Sequence, residues 1–333
     1  MRVWIVPAGC TDPALLRLET RPEPAAGPGQ VLVRVRALSL NYRDQAVLRG
    51  QYMGGATTRD LIPVSDGAGD VVSVGSGVRS VAVGARVAST FFQPTPQGPA
   101  ALGSPLDGML AEYAVLDAGG VVSLPDEVGY EAAACLPCAG VTAWHALFAA
   151  GRPVVPGDTV LVLGTGGVSM LALQLARAAG ARVVVTSSSD DKLARARALG
   201  ATDTVNYART PEWDAEVMRV TGGRGADCVV EIGGAGTLAR SFRSLARGGK
   251  VVLIGFLGGP QGDTAPFPLM MKAGTLHGIF VGDRPMFESL LQAVTVNRIA
   301  PAVDRTFAFE DAPAAYGYQA SGGFVGKVVI AGS

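Results

Sequence analysis

The run Val160-Leu161-Val162-Leu163-Gly164-Thr165-Gly166-Gly167-Val168-Ser169 constrains this chain more than any other stretch. Four apolar residues read as a buried strand, the glycines as a tight turn, and Met170 to Ala179 as a helix. Strand, glycine turn and helix in that order make a cradle for a dinucleotide pyrophosphate. Gly164 permits the turn, Gly166 lets backbone approach the phosphates, and the helix N-terminus offers unpaired N–H groups with partial positive charge. Ser169 stands at the third fingerprint position and is still small enough for close helix–strand packing. A second strand, Arg182 to Thr186, follows, which places these glycines in a βαβ unit. That context matters, because a chain with 45 glycines has many ordinary glycine turns.

At 333 residues the chain exceeds the usual size of one core, so about two domains are expected. Its 28 basic and 28 acidic residues balance, which argues against a nucleic-acid or anionic-membrane footprint. Gly and Pro interrupt every apolar run well before the about 18 residues a spanning helix needs. The start reads as a strand without a signal-peptide pattern, and four scattered cysteines make no disulfide framework. A cytoplasmic protein is the expectation.

Up to about Ser123 the pattern is short strands broken by turn chemistry: Gln30 to Ala37, Gly69 to Val74, Arg86 to Ser89 and Glu112 to Leu116. One short helix falls near Asp44 to Leu48, and Gln93 to Ser104 reads as a mobile surface loop. Glu131 to Ala149 is Ala- and Leu-rich and reads as one helix. Apolar strands then alternate with helices at Lys192 to Leu199 and Thr237 to Ala246, the signature of a doubly wound parallel sheet. The strand Thr275 to Val281 and the helix Pro285 to Val296 continue that pattern.

The chain resembles the medium-chain dehydrogenase/reductase superfamily along essentially its whole length. The likeness rests on Ser39-Leu40-Asn41-Tyr42-Arg43-Asp44, Val71-Val72-Ser73-Val74-Gly75-Ser76-Gly77-Val78, Gly84-Ala85-Arg86-Val87, Leu136-Pro137-Cys138-Ala139-Gly140-Val141-Thr142-Ala143 and the glycine fingerprint. It implies an α/β architecture: a GroES-like β-barrel catalytic domain (residues 1–125 and 271–333) and a Rossmann cofactor domain (residues 126–270). Zinc-dependent members carry a Cys near Asn41 and a Gly-His-Glu run where this chain has Ser65-Asp66-Gly67-Ala68-Gly69. Both histidines, His145 and His277, fall outside the N-terminal barrel segment, residues 1–125. Cys135-x-x-Cys138 reads as buried small residues in preference to a redox or metal pair. The resemblance therefore implies a zinc-free enzyme of the quinone oxidoreductase and enoyl reductase branch.

The second strand ends Val185-Thr186-Ser187-Ser188-Ser189, without the Asp or Glu that NAD sites place on the ribose. Ser187 and Ser188, with Lys192 and Tyr207 at positions that match a 2′-phosphate site, imply NADPH. Asp190 and Asp191 count against a phosphate unless they cap the helix. Gly164, Thr165, Gly166, Gly167 and Val168 take the pyrophosphate. Gly233, Ile254, Gly255 and Phe256 follow strand ends and wall the nicotinamide, and Thr142 touches it or plays a helix-interior role. Without a metal, neutral donors must hold the charge that develops on a substrate oxygen. Asn41, Tyr42 and Tyr52 are the candidates. Plainer roles exist for each: Asn41 as a helix cap, Tyr42 as a core aromatic, Tyr52 as a passive wall. Arg43 and Asp44 read as an ion pair or cap, and His145 as a packed histidine.

The expected reaction is hydride transfer from NADPH to an activated C=C bond or a quinone. The alternatives are an NADP-dependent alcohol or carbonyl dehydrogenase, and a non-catalytic NADPH-binding protein. A small-molecule substrate is expected, with no nucleic-acid or membrane partner. The resemblance further implies a homodimer paired at the edge of the nucleotide-binding sheet.

Overall fold

The computed structural model describes residues 1–53, 55–259, 261–262 and 264–333. The chain begins with β1 (Arg2–Ile5), β2 (Arg17–Thr20) and β3 (Gln30–Leu40), followed by α1 (Tyr42–Leu48) and β4 (Asp66–Val74). Next come β5 (Arg86–Ser89), β6 (Phe92–Gln93), β7 (Ala100–Ala101), β8 (Tyr113–Asp117), β9 (Val121–Ser123), α2 (Tyr130–Ala134) and α3 (Val141–Trp144). The alternating section is β10 (Thr159–Leu163), α4 (Gly167–Ala178), β11 (Arg182–Ser187), α5 (Asp190–Ala198), β12 (Asp203–Asn206), α6 (Trp213–Val220), β13 (Ala226–Glu231), α7 (Leu238–Arg243), β14 (Leu245–Leu253), α8 (Phe267–Met271) and β15 (Thr275–Gly278). The chain closes with α9 (Arg284–Val296), β16 (Val303–Phe307), α10 (Ala312–Ala320) and β17 (Lys327–Ala331).

Two compact units result: residues 1–139 with 283–333, and residues 140–282. In the first, the sheet runs β16-β17-β3-β4-β5-β9, with β8 also paired to β3. The long β3 explains this order. Its two ends, Val31 to Val33 and Ala37 to Leu40, are buried on both faces, and between them Val35 is buried while Arg34 and Arg36 face solvent. Its first half takes β8 and its second half takes β17, with Val328 opposite Leu40. The last strand thereby returns to the start of α1. On the other flank β4 lies against β3, where glycines make room: a Cβ at Gly69 would stand 2.0 Å from the Arg34 carbonyl.

The second unit holds a six-stranded parallel sheet in the order β12-β11-β10-β13-β14-β15. Strand β10 is buried throughout, as its run of Val and Leu requires of a sheet covered on both faces. The order reverses between β10 and β13, and in such sheets ligands bind outside the carboxyl ends of the strands at that point.

Several expectations change. The boundaries fall at 139/140 and 282/283, not at 125/126 and 270/271, because α2 packs on the barrel strands and β15 pairs with β14. Helix α9 lies in the barrel unit, within the residues 271–333 that the resemblance gives to it, and packs against β9, whereas the strand–helix alternation alone would have continued it into the parallel sheet. The stretch 131–149 is not one uniform α-helix: wide π turns at Leu136–Gly140 and His145–Ala149 interrupt it. Pro137, which has no N–H to donate, sits in the first of them. Helix α7 stops at Arg243, where β14 begins almost at once. The 93–104 segment is tied down by the β6–β7 hairpin and by Arg43, whose guanidinium donates to the Leu102 and Ser104 carbonyls at 2.7 and 2.9 Å. No helix among the described residues is long and apolar enough to cross a membrane.

Gly69→Ala is expected to cost about 1–3 kcal/mol of unfolding free energy, because its methyl meets backbone. Gly317→Ala, in α10 with open space around the added Cβ, should be neutral or stabilising by up to about 1 kcal/mol. Urea midpoints of the two variants check the pair, and equal shifts would contradict it.

Candidate functional site

In the parallel-sheet unit, Gly164 adopts φ +70°, the left-handed turn that favours glycine. Gly166 is the N-cap of α4 and supplies no side-chain cap, so the first N–H groups of that helix are left to a ligand. A Cβ at Gly166 would meet nothing within 4 Å, which makes this space an opening in front of the helix. Ser169 is fully buried and its hydroxyl donates to the Leu163 carbonyl at 2.7 Å, locking α4 to β10 as its small size predicted. Gly167 and Val168 open the helix, and Thr165 is buried in the turn. These features fit a dinucleotide pyrophosphate.

At the end of β11, Ser187 is buried and Ser188 exposed. Ser189 caps α5 by accepting from the Lys192 N–H at 3.4 Å. Tyr207 is largely exposed just beyond β12. Asp190, which counted against a phosphate, is engaged: Asn206 donates to it at 2.7 Å and Arg209 forms an ion pair with it. Arg209 is a cation the sequence reading missed. The signal available was its place two residues after Tyr207.

Beyond β13 a buried carboxylate shapes the loop. Glu231 accepts from the Gly233 and Gly234 N–H groups at 2.7 and 3.1 Å, from Thr237 Oγ1 at 2.6 Å and from Ser241 Oγ. The Gly258 N–H then donates to the Gly233 carbonyl at 2.7 Å, which joins this loop to the 254–259 segment carrying Ile254, Gly255 and exposed Phe256. Thr142 is buried within α3. His145 is a packed histidine, its Nδ1 2.7 Å from the Val281 carbonyl.

The barrel unit gathers charges around α1. Asn41 is its N-cap, and the Asp44 carboxylate accepts the Asn41 backbone N–H at 2.7 Å. The Asn41 carboxamide does something else. Its Oδ1 accepts from Lys327 Nζ at 2.5 Å, and the same ammonium donates to the Leu40 carbonyl at 2.7 Å. Asp66, fully buried, accepts from Ser65 Oγ at 2.7 Å and from the Cys138 N–H at 3.0 Å. Burial pushes the Asp66 carboxyl up, and Lys327 pulls it back. Arg43 lies between the rings of Tyr52 and Phe91, 4.6 and 4.9 Å from their centroids. Tyr42 is 63 % exposed, so it is not a core aromatic. Arg284 pairs with Glu288 on its own helix and donates to the Gly119 carbonyl.

This donor set does not fit zinc, which takes thiolate, imidazole and carboxylate ligands in a tetrahedron. The position beside Asn41 and Asp66 is filled by an ammonium, which donates and repels a dication. None of the four cysteines forms a disulfide; burial pushes Cys135 to about 11 and raises Cys138, which leaves thiols rather than thiolates. Among the described residues no three or more His, Cys, Asp or Glu side chains are grouped as metal ligands.

A family model described as an alcohol dehydrogenase GroES-like domain matches residues 27–126, and one described as a zinc-binding dehydrogenase matches residues 167–295. The chain is 42% identical over 316 residues to a zinc-type alcohol dehydrogenase-like protein of Schizosaccharomyces pombe, covering 91% of each. A solved NAD-dependent alcohol dehydrogenase superposes with a TM-score of 0.89 at 31% identity over 99% of both chains. A crotonyl-CoA carboxylase/reductase in complex with NADP gives 0.90 at 26% identity, over 99% of this chain and 94% of that one.

Burial lifts the Asp44 carboxyl to about 6, with the Arg43 guanidinium partly offsetting it. A carboxyl that holds its proton more readily folded than unfolded contributes stability below its unfolded value and loses it as pH rises through about 6. Asp44→Asn removes that loss and keeps an acceptor for the Asn41 N–H. Its unfolding free energy should gain on wild type by about 2 kcal/mol between pH 4 and pH 7. Urea unfolding at both pH values measures the gap, and a gap that stays constant contradicts the assignment.

Proposed function

Because the chain belongs to the medium-chain dehydrogenase/reductase superfamily of oxidoreductases, we propose that it is a zinc-independent, NADPH-dependent reductase acting on an activated C=C bond or a quinone. The observation that carries this reading is the Lys327–Asn41–Asp66 array, which offers neutral and cationic donors at a position unsuited to a Lewis acid. Reducing an isolated ketone to an alkoxide demands more charge stabilisation than adding hydride to an enone, where charge spreads into an enolate. Neutral donors suit the milder demand.

Bound nicotinamide supplies the hydride. Asn41, Tyr42 and Tyr52 are assigned to the substrate oxygen, with Tyr52 steadied by the guanidinium of Arg43. Gly164 to Val168 hold the pyrophosphate, Thr142, Gly233, Ile254, Gly255 and Phe256 border the nicotinamide, and Ser187, Ser188, Lys192, Tyr207 and Arg209 receive the 2′-phosphate. Support for the phosphate comes from the missing carboxylate at the end of β11 and the engagement of Asp190. The NADP-bound carboxylase/reductase among the structural neighbours agrees, while the NAD-dependent neighbour favours the alcohol dehydrogenase reading. A homodimer paired through β15 completes the proposal. That strand is a sheet edge carrying exposed Leu276, with exposed Phe280 just beyond it.

Gly166→Val should stay folded, losing about 1 kcal/mol at this N-cap position while its Cβ meets nothing, yet lose NADPH binding measured by fluorescence. Retained binding would remove the pyrophosphate assignment. Lys192→Ala and Arg209→Ala should each weaken NADPH about tenfold and leave NADH unchanged. A panel of enones, enoyl thioesters and quinones with NADPH should show turnover. Turnover confined to alcohols with NADP⁺ would establish the dehydrogenase reading instead.

A further inference from the structure

We propose that the buried carboxylate of Glu231 strengthens the hold on the oxidised, cationic nicotinamide relative to the reduced, neutral one, and so favours hydride donation. This rests on the reading that residues 233 and 254–256 border the nicotinamide.

Glu231 is the last residue of β13, a strand at the point where the order of the sheet reverses, and it is fully buried. Its backbone carbonyl accepts the Ile254 N–H at 2.9 Å, which makes the residue part of the wall assigned to the nicotinamide. The loop that its side chain holds is packed closely on that wall. A Cβ at Gly234 would stand 2.7 Å from Phe256 Cα, and one at Gly255 would stand 2.9 Å from the Ile232 carbonyl oxygen. Glycine at both positions therefore brings the carboxylate and the wall together.

The four hydrogen bonds to this carboxylate come from neutral groups: two backbone N–H groups and the hydroxyls of Thr237 and Ser241. Among the described residues no cation forms an ion pair with it. Arg240 and Arg243, on the helix that follows, are turned to Asp214 at 3.5 and 2.6 Å. Lys250, the buried cation of β14, stands opposite Cys228 and donates to the Leu147 and Ala150 carbonyls. That is three residues back along β13, about 10 Å of strand. Buried charges are ordinarily paired, and dipoles alone leave a net negative field that protein screens less than water does. Shaping the loop does not call for that charge, since an amide oxygen accepts the same N–H groups. A ligand whose own charge changes does make use of it. Hydride transfer moves two electrons and one proton from the ring to the substrate carbon; the substrate is reduced, the ring is oxidised, and a positive charge appears on the ring. A fixed negative charge favours that side of the reaction without reorganising.

The test titrates full-length wild type and Glu231→Gln with NADPH and NADP⁺ separately, by calorimetry, and repeats the titrations with NADH and NAD⁺. Gln keeps an oxygen for Gly233, Gly234 and Thr237 and removes the charge. The variant should bind NADP⁺ about tenfold more weakly and NADPH within about twofold of wild type. That ratio raises the potential of the bound couple by about 30 mV. Thr237→Val, which removes one donor and keeps the charge, should weaken both forms by the same factor. An unchanged ratio in Glu231→Gln, or equal weakening of both forms, would reduce Glu231 to a shaper of the loop and overturn the proposal. Should Glu231→Gln fail to fold, wild type alone decides: NADP⁺ should bind at least as tightly as NADPH, and a tenfold preference for NADPH overturns the proposal. If only the unphosphorylated pair binds, the NADPH reading fails, and the NAD⁺/NADH ratio decides on Glu231. If neither pair binds, both fail.

Discussion

Two cations and two carboxylates are buried together around the helix Tyr42–Leu48: Arg43, Lys327, Asp44 and Asp66. Removing such charges from water costs several kcal/mol each unless partners stand in place. The barrel unit is arranged to put them there. Arg43 reaches two carbonyls of the 102–104 segment, Asp44 holds the helix cap, Asp66 is held by Ser65 and Cys138, and Lys327 comes from the last strand. A barrel that failed to pair β17 with β3 would leave Asp66 facing Asn41 without its cation. Strand order and charge balance therefore select the same fold, a consistency between levels that marks a well-specified sequence.

The two units prepare for ligands by opposite means. The parallel sheet removes side chains: Gly164 turns, Gly166 leaves space, and Ser169 allows α4 to close on β10. That leaves the first backbone N–H groups of α4 without a side-chain cap, the arrangement an anion at a helix N-terminus requires. The barrel instead keeps charged side chains and holds them mostly on backbone groups: Arg43 on the Leu102 and Ser104 carbonyls, Asp44 on the Asn41 N–H, Asp66 on the Cys138 N–H and Lys327 on the Leu40 carbonyl. Glu231 bridges the styles, a charged side chain spent on shaping a glycine backbone through four hydrogen bonds.

What could be read from the sequence follows this division. The fingerprint lies within ten consecutive residues, so strand, turn and helix were legible from local pattern, as was the alternation in β3. The Lys327–Asn41 contact spans 286 positions, and no local rule joins a lysine at the start of one strand to an asparagine at the end of another. Arg209 gained meaning once Asp190 lay beside it. The stretch 131–149 misled because Ala and Leu favour any helix, and the wide turns come from Pro137 and from packing. Strand–helix alternation alone would carry helix α9 on into the parallel sheet, because an amphipathic stripe does not say which core it covers, whereas the resemblance gives residues 271–333 to the barrel.

Kinship says less about a metal than about a fold. A relative 42% identical carries a zinc-type name, and the cofactor-side family model is described by zinc. Identity of that size preserves a fold, because folds depend on many exchangeable apolar contacts. A metal site depends on a handful of donors, and changing one or two abolishes it. The resemblance sets a Cys of zinc-dependent members where Asn41 or its neighbour sits and their Gly-His-Glu run where this chain has Ser65 to Gly69, and here Lys327 Nζ donates to Asn41 Oδ1. The fold carries over from such relatives as a whole, whereas the metal has to be argued donor by donor.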